Sequence, residues 1–356
     1  MPILGIGRLM KFLSIILSVS VTAGAVVSVA AADLITGAGS TFVSPLLVRW
    51  AVAAKQTISV TVDYRSVGSG IGIQRIINGA VTFGATDMPL APGDIAANRL
   101  VQFPLVGGAV VPVFNLPGID TGALTLDGPT VAKIFLGEIR RWNDPAIVSL
   151  NPRVTLPNTR IVAVHRADAS GTTFIWTNYL SKASREWQSK VGEGLVIGWP
   201  AGVGAKGNDG VSMDVSETVG AIGYVEYAYA KRGNLNLARV INPAGRPVTP
   251  TPASFRAAAA GTEWKHARDF GVPMTDASGD ASWPILGATF ILMRSAPLDP
   301  AGSAAALKFF DWAYKSGGDV ATALGYVPMP EDVVASIERA WAEKIKSGGR
   351  DPVFTR

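Results

Sequence analysis

The segment IVAVHRADASGTTFIWTNYL, residues 161–180, decides how the rest of the chain reads. Residues 161–164 are an apolar, β-branched run suited to a buried strand, and residues 174–180 carry Phe174, Ile175 and Leu180 at helical spacing. Between them, Asp168-Ala169-Ser170-Gly171-Thr172-Thr173 is a strand-to-helix turn. The same order occurs twice upstream. Gly37-Ala38-Gly39-Ser40-Thr41-Phe42 follows Leu34-Ile35 and precedes a helical run with Leu46, Leu47 and Trp50. Ser66-Val67-Gly68-Ser69-Gly70-Ile71-Gly72 follows a strand at residues 60–64 and precedes the run to Asn78. Further strands are expected at residues 83–85, 109–114, 195–197 and 221–225, with helices at 131–136, 304–314 and 332–346. Such alternation predicts an α/β fold with mostly parallel strands. Two apolar runs, 109–114 and 290–293, are read as crossings between two lobes. Residues 33–114 plus 285–356 then form lobe I, residues 115–284 form lobe II, and the ligand cleft lies between them.

Composition narrows the function. Apolar residues are 48% of the 356 and charged ones only 17%, which excludes a disordered polyelectrolyte and leaves ample core. There is no cysteine, and the histidines are His165 and His266, so thiol catalysis and Cys/His zinc sites are excluded. Residues 1–32 read as a secretory signal: Arg8 and Lys11, then an apolar stretch, then small residues for cleavage near Ala31/Ala32. Without Arg8 and Lys11, 30 basic residues face 27 acidic ones, a net +3. No cationic cluster with interleaved aromatics is present, so nucleic acid is not an expected partner. The expected product is an exported, periplasmic protein that works as a monomer.

The three turns suit an anion. Glycine lets backbone amides approach closely, and a helix start presents unpaired N–H groups and the positive end of its dipole. Hydroxyls add further donors. Arg166 offers a planar, multi-donor contact, and Asp168 two residues on can fix its orientation. Asp87, in Phe83-Gly84-Ala85-Thr86-Asp87, places a carboxylate beside the same site. An ionised carboxylate can accept the proton that hydrogen phosphate keeps at neutral pH, whereas sulfate offers none and meets repulsion.

These residues carry a resemblance. TGAGSTF (36–42), Gly68-Ser69, FGATD (83–87), RADASGT (166–172), KGNDG (206–210), GAIGYVEYAYA (220–230) and KFFDWAY (308–314) occur in order. Together they resemble the periplasmic phosphate-binding proteins of high-affinity phosphate ABC transporters, over essentially all of the chain after residue 32. The resemblance implies a two-lobed periplasmic binding protein fold of class II type, without cofactor or catalysis. It implies phosphate held by Thr41, the Phe42 amide, Ser69, Asp87, Arg166, Ser170, Gly171 and Thr172, with Asp168 supporting Arg166. It also implies delivery to membrane permease subunits driven by a cytoplasmic ATPase. The sequence departs from the family's usual Gly-Ser-Ser-Gly-Gly at Gly70 and Ile71. Ser40 replaces a small apolar residue and reads as harmless.

Three other signals compete. Gly202-Val203-Gly204-Ala205-Lys206-Gly207 matches a dinucleotide fingerprint, but Trp199-Pro200 interrupts the strand that should precede it. The set His165, Asp168 and Ser170 suggests a phosphoester hydrolase as the alternative. Strand alternation, however, turns His165 away from the side that Arg166 faces. Trp142, Trp176, Trp199 and Trp312 are read as packing residues rather than sugar-stacking platforms.

Overall fold

A computed structural model describes residues 33–264 and 267–354; the expected signal segment lies outside the described residues. Eight strands form the main path: β1 (Asp33–Gly39), β2 (Val60–Ser66), β3 (Phe83–Thr86), β4 (Leu100–Phe114), β5 (Val162–Arg166), β6 (Val203–Ala205), β7 (Ala221–Glu226) and β8 (Leu286–Arg294). Their spatial order is β2-β1-β3-β8-β4-β7-β5-β6, and two short strands also pair with β4. The α/β expectation holds, and the strand direction is corrected. Both flanks are parallel, but β8 runs antiparallel to β3 and β4, and β4 antiparallel to β7. Alternation along the chain registers helices between successive strands. It cannot register β8, which arrives from far along the sequence and inserts between β3 and β4.

Strand β4 is the spine. All fifteen of its residues are buried, as its sequence LVQFPLVGGAVVPVF requires. Residues 100–109 pair with β8, and residues 110–114 pair with β7. Burial on both faces gives a continuous apolar run rather than an alternating one. The β4–β8 register shifts between Thr289 and Phe290, where Pro104 on β4 has no N–H to donate. The expected strand at 195–197 is absent. Its Leu195 carbonyl instead accepts the Ser170 amide at 2.8 Å, so the segment anchors a loop.

Four helices present their starts to one region: α1 (Ser44–Thr57), α2 (Ser69–Ile77), α3 (Gly171–Ala183) and α4 (Gly207–Glu217). Helix α1 begins with Pro45 in its first turn and buries Leu46, Leu47, Trp50 and Ala54 on one face. Helix α3 is capped by Ser170, whose hydroxyl accepts the Thr173 amide at 3.0 Å. Residues 171–181 of α3 are all buried, so this helix runs through the interior. Trp142 and Trp176 are buried in the core, in agreement with their packing role.

Gly39 ends β1 and launches the first turn at φ +140°, a conformation unfavourable for a side chain. An added Cβ would lie 2.0 Å from the Ala85 carbonyl oxygen, which belongs to the paired strand. Gly39→Ala should therefore destabilise the fold by about 2–4 kcal/mol in urea unfolding. Wild-type stability in this variant would contradict the tight β1–β3 approach.

Candidate functional site

The site is built around Asp87, which follows β3 and is 2% exposed. Ser40, directly after β1, donates its hydroxyl to the carboxylate and lies 2.7 Å from both Oδ1 and Oδ2. Thr289, at the β8 register shift, donates to Oδ1 at 2.6 Å. The Asp87 amide donates to Ser69 Oγ at 3.3 Å. Burial pushes the Asp87 carboxyl up to about 6, against the pull of the Thr289 and Ser40 hydroxyls and the Arg166 charge. At neutral pH the group is therefore mainly in its ionised, acceptor form, and the acid form gains as pH falls through about 6.

The opposite wall comes from β5 and the start of α3. Arg166, 3% exposed, ends β5 and grips Asp168 with two bonds, Nε to Oδ1 at 2.7 Å and Nη2 to Oδ2 at 2.5 Å. Its Nη1 donates to Thr172 Oγ1 at 3.2 Å. Burial would raise the Asp168 carboxyl, but the Arg166 hydrogen bonds and charge outweigh it and hold the group below its ordinary value. Asp168 also accepts the Gly207 amide at 3.0 Å, which spends the last glycine of the fingerprint-like stretch on the arginine clamp.

The two walls meet directly. Gly171 donates its amide to Ser69 Oγ at 3.1 Å. Its α-carbon backs onto Asp87 so closely that an added Cβ would lie 2.4 Å from Oδ2. Asn208, from α4, donates to Thr41 Oγ1 at 2.8 Å and to Thr172 Oγ1 at 3.2 Å. The Phe42 amide donates to Ser40 Oγ at 3.0 Å. Thr41, Phe42, Ser69, Asp87, Arg166, Ser170, Gly171 and Thr172 therefore gather in one buried hydrogen-bonded region.

Three participants were not singled out by sequence reasoning: Asn208, Thr289 and Ser40. Asn208 lies in a stretch quoted for resemblance, and only the folded position of α4 reveals its bridging role. Thr289 is 202 residues from its partner and stands beside it because Phe290 pairs with Thr86. Ser40, read as harmless, places its hydroxyl on the Asp87 carboxylate. The departure at Gly70 also has a reason: an added Cβ would fall 2.4 Å from the Ala169 methyl, and the Gly70 amide donates to the Ala169 carbonyl at 3.1 Å. His165 stacks on Trp199 with ring centroids 4.5 Å apart, on the side of β5 away from the Arg166 guanidinium.

The raised Asp87 value has a linkage consequence. Between 3.8 and about 6, the folded chain binds this proton more tightly than the unfolded chain. Asp87 should therefore erode stability as pH rises through that window. In urea unfolding without added anions, the stability of Asp87→Asn relative to wild type should improve by up to about 3 kcal/mol from pH 4 to pH 7. A difference independent of pH would mean that Asp87 titrates as an ordinary carboxylate.

Residues 26–316 match the PBP superfamily domain. The phosphate-binding protein PstS of Pasteurella multocida (strain Pm70) is 48% identical over 316 residues, covering 89% of this chain and 92% of that protein. PstS of Haemophilus influenzae is 47% identical over 317 residues, 89% of this chain and 95% of that one. Among solved structures, a high-affinity periplasmic phosphate-binding protein bound with phosphate aligns with a TM-score of 0.71 at 22% identity, covering 88% of this chain and 96% of that one. The phosphate-binding protein of Stenotrophomonas maltophilia aligns with a TM-score of 0.66 at 19% identity, covering 91% and 99%. The structural matches share the fold, and the sequence matches extend across nearly the whole chain: it belongs to the PstS family of phosphate-binding proteins within the PBP superfamily.

Proposed function

We propose that this protein captures inorganic phosphate and delivers it to an ABC importer. The observation that carries this reading is the buried Asp87 carboxylate facing the amide-rich start of α3, with Arg166 in the same region. Phosphate is held by Thr41, the Phe42 amide that it shares with Ser40, Ser69, Arg166, Ser170, Gly171 and Thr172. Asp168 keeps the Arg166 fork in plane. Asp87 accepts the proton of hydrogen phosphate through Oδ2, the oxygen next to Gly171. A fully deprotonated oxyanion brings no proton there and faces a charged oxygen with nothing between, so sulfate is rejected.

Residues 33–114 with 285–356 act as one lobe and residues 115–284 as the other. Thr41, Phe42, Ser69 and Asp87 come from the first, and Arg166 with residues 170–172 from the second. Phosphate that contacts both sets favours closure. The Asn208–Thr41 bond, the Tyr229 hydroxyl on the Thr41 carbonyl at 2.6 Å and the Gly70–Ala169 bond are fitted to hold the closed form. Closure removes water and strengthens each hydrogen bond to the anion. A membrane permease with its cytoplasmic ATPase opens the lobes and receives the phosphate. The protein works in the periplasm as a monomer after loss of residues 1–32. It binds without turnover: His165 is stacked on Trp199, and Ser170 Oγ caps α3.

Titration calorimetry with phosphate, arsenate and sulfate tests the reading. Phosphate and arsenate, which share a protonation pattern, should bind tightly at pH 7 while sulfate gives no heat of binding. Asp87→Asn should narrow the phosphate-to-sulfate ratio by at least tenfold, the equivalent of about 1.4 kcal/mol. Equal binding of sulfate and phosphate by the wild-type protein would contradict the assignment of Asp87.

A further inference from the structure

The hydroxyls of Ser40 and Thr289 lie on Asp87 but outside the set of groups that would touch the anion. Each is buried: Ser40 is 1% exposed and Thr289 0%. The direction of the Ser40 proton is fixed by its other bond. Ser40 Oγ accepts the Phe42 amide at 3.0 Å, so its own O–H is left to donate to the carboxylate 2.7 Å away. Thr289 donates to Oδ1 at 2.6 Å. Oδ1 thus receives the Thr289 donor and shares that of Ser40, while Oδ2 lies against Gly171 at the start of α3.

We propose that Ser40 and Thr289 are positioning residues for anion selection: their two hydroxyls hold Asp87 ionised and leave Oδ2 as the acceptor facing the anion. The proposal rests on the phosphate reading above and extends it to two residues outside the anion's contact set. The chemistry is that of a buried carboxylate in competition with its own protonation. Donors satisfy the ionised form, and each lost donor favours the acid. A protonated Asp87 would offer an O–H where an acceptor is needed. Phosphate would lose its partner, and sulfate, which only accepts, would find a donor.

Other groups act on the same carboxylate. Arg166, from β5, favours the ionised form through its charge. Glu226, from β7, and the buried phenols Tyr64 and Tyr326 also lie within its field. Burial pushes Glu226 and both tyrosines well above their ordinary values, while Arg166 and the hydroxyls of Thr289, Ser40 and Ser69 are the counterweights to burial at Asp87. Asp87 already stands at about 6 with both hydroxyls in place. Removing either one carries its titration toward neutral pH. The sign follows directly: acceptor capacity is present above the Asp87 pKa and lost as pH falls through it, so a higher pKa moves the loss to higher pH.

The test is phosphate and sulfate affinity from pH 5 to 8.5 in wild type, Ser40→Ala, Thr289→Val, Thr289→Ser and Asp87→Asn. In Ser40→Ala and Thr289→Val the acidic midpoint for phosphate selectivity should rise by about one pH unit, and the phosphate-to-sulfate ratio at pH 7 should fall about tenfold. Thr289→Ser keeps the hydroxyl and should retain the wild-type midpoint. A purely structural role would weaken both anions equally without moving the midpoint. The two residues lie in different segments, so a folding failure of one variant leaves the other to decide. If wild type selects phosphate and Asp87→Asn abolishes selection, yet Ser40→Ala or Thr289→Val keeps midpoint and ratio, the hydroxyl proposal alone is overturned. If wild type and Asp87→Asn treat the two anions alike, the underlying phosphate reading falls, and this proposal with it.

Discussion

A carboxylate buried among the starts of several helices is the constraint on which the rest of this structure depends. Asp87 is 2% exposed, and burial disfavours its charged form. The surrounding sequence lowers that cost locally. A serine follows β1, threonine stands at a β8 register shift, and Ser69 accepts the Asp87 amide. The arginine in the same region is matched by Asp168, so the charges of Arg166, Asp168 and Asp87 leave no net positive charge to attract an anion. In the proposed reading, attraction comes instead from amides, hydroxyls and helix starts, whose dipoles are fixed before the ligand arrives. The low charge content of the whole chain is consistent with that design.

The fold supplies the rigidity this arrangement needs. β4 is fully buried along its length and ties the β1–β3 flank, through β8, to the β5–β7 flank. Asp87 follows β3, Thr289 lies on β8 and Arg166 ends β5, so the polar groups sit on strands whose register is set by apolar packing. The register shift at Thr289 is a deviation placed beside the site, where a bulge can re-aim a side chain. The Arg166–Asp168 clamp has a similar logic. A buried ion pair adds little stability by itself, but it fixes the orientation of a planar donor.

Local chemistry was legible in the sequence, and long-range placement was not. Strand, glycine-rich turn and helix could be read at residues 161–180 because period, capping residue and turn composition agree there. The eight anticipated site residues lie in such turns or at strand ends, and the fold gathers them. The partners of Asp87 were hidden for two reasons. Thr289 is neither a cap nor a turn residue, and its role follows only from the pairing of Phe290 with Thr86. Ser40 was visible but looked like a conservative change, because its value depends on a carboxylate 47 positions away. The antiparallel centre was illegible for the same reason: helix–strand alternation records order along the chain, not which strand inserts between which.

The central claim is that Asp87 is ionised in the phosphate complex and serves as acceptor. The most direct measurement is the chemical shift of the Asp87 carboxyl carbon, labelled with 13C, followed from pH 5 to 8 with and without phosphate. The account predicts a titration near pH 6 in the free protein and a carboxylate signal that persists to lower pH once phosphate is bound. A carboxylic-acid signal in the complex at pH 7 would contradict it.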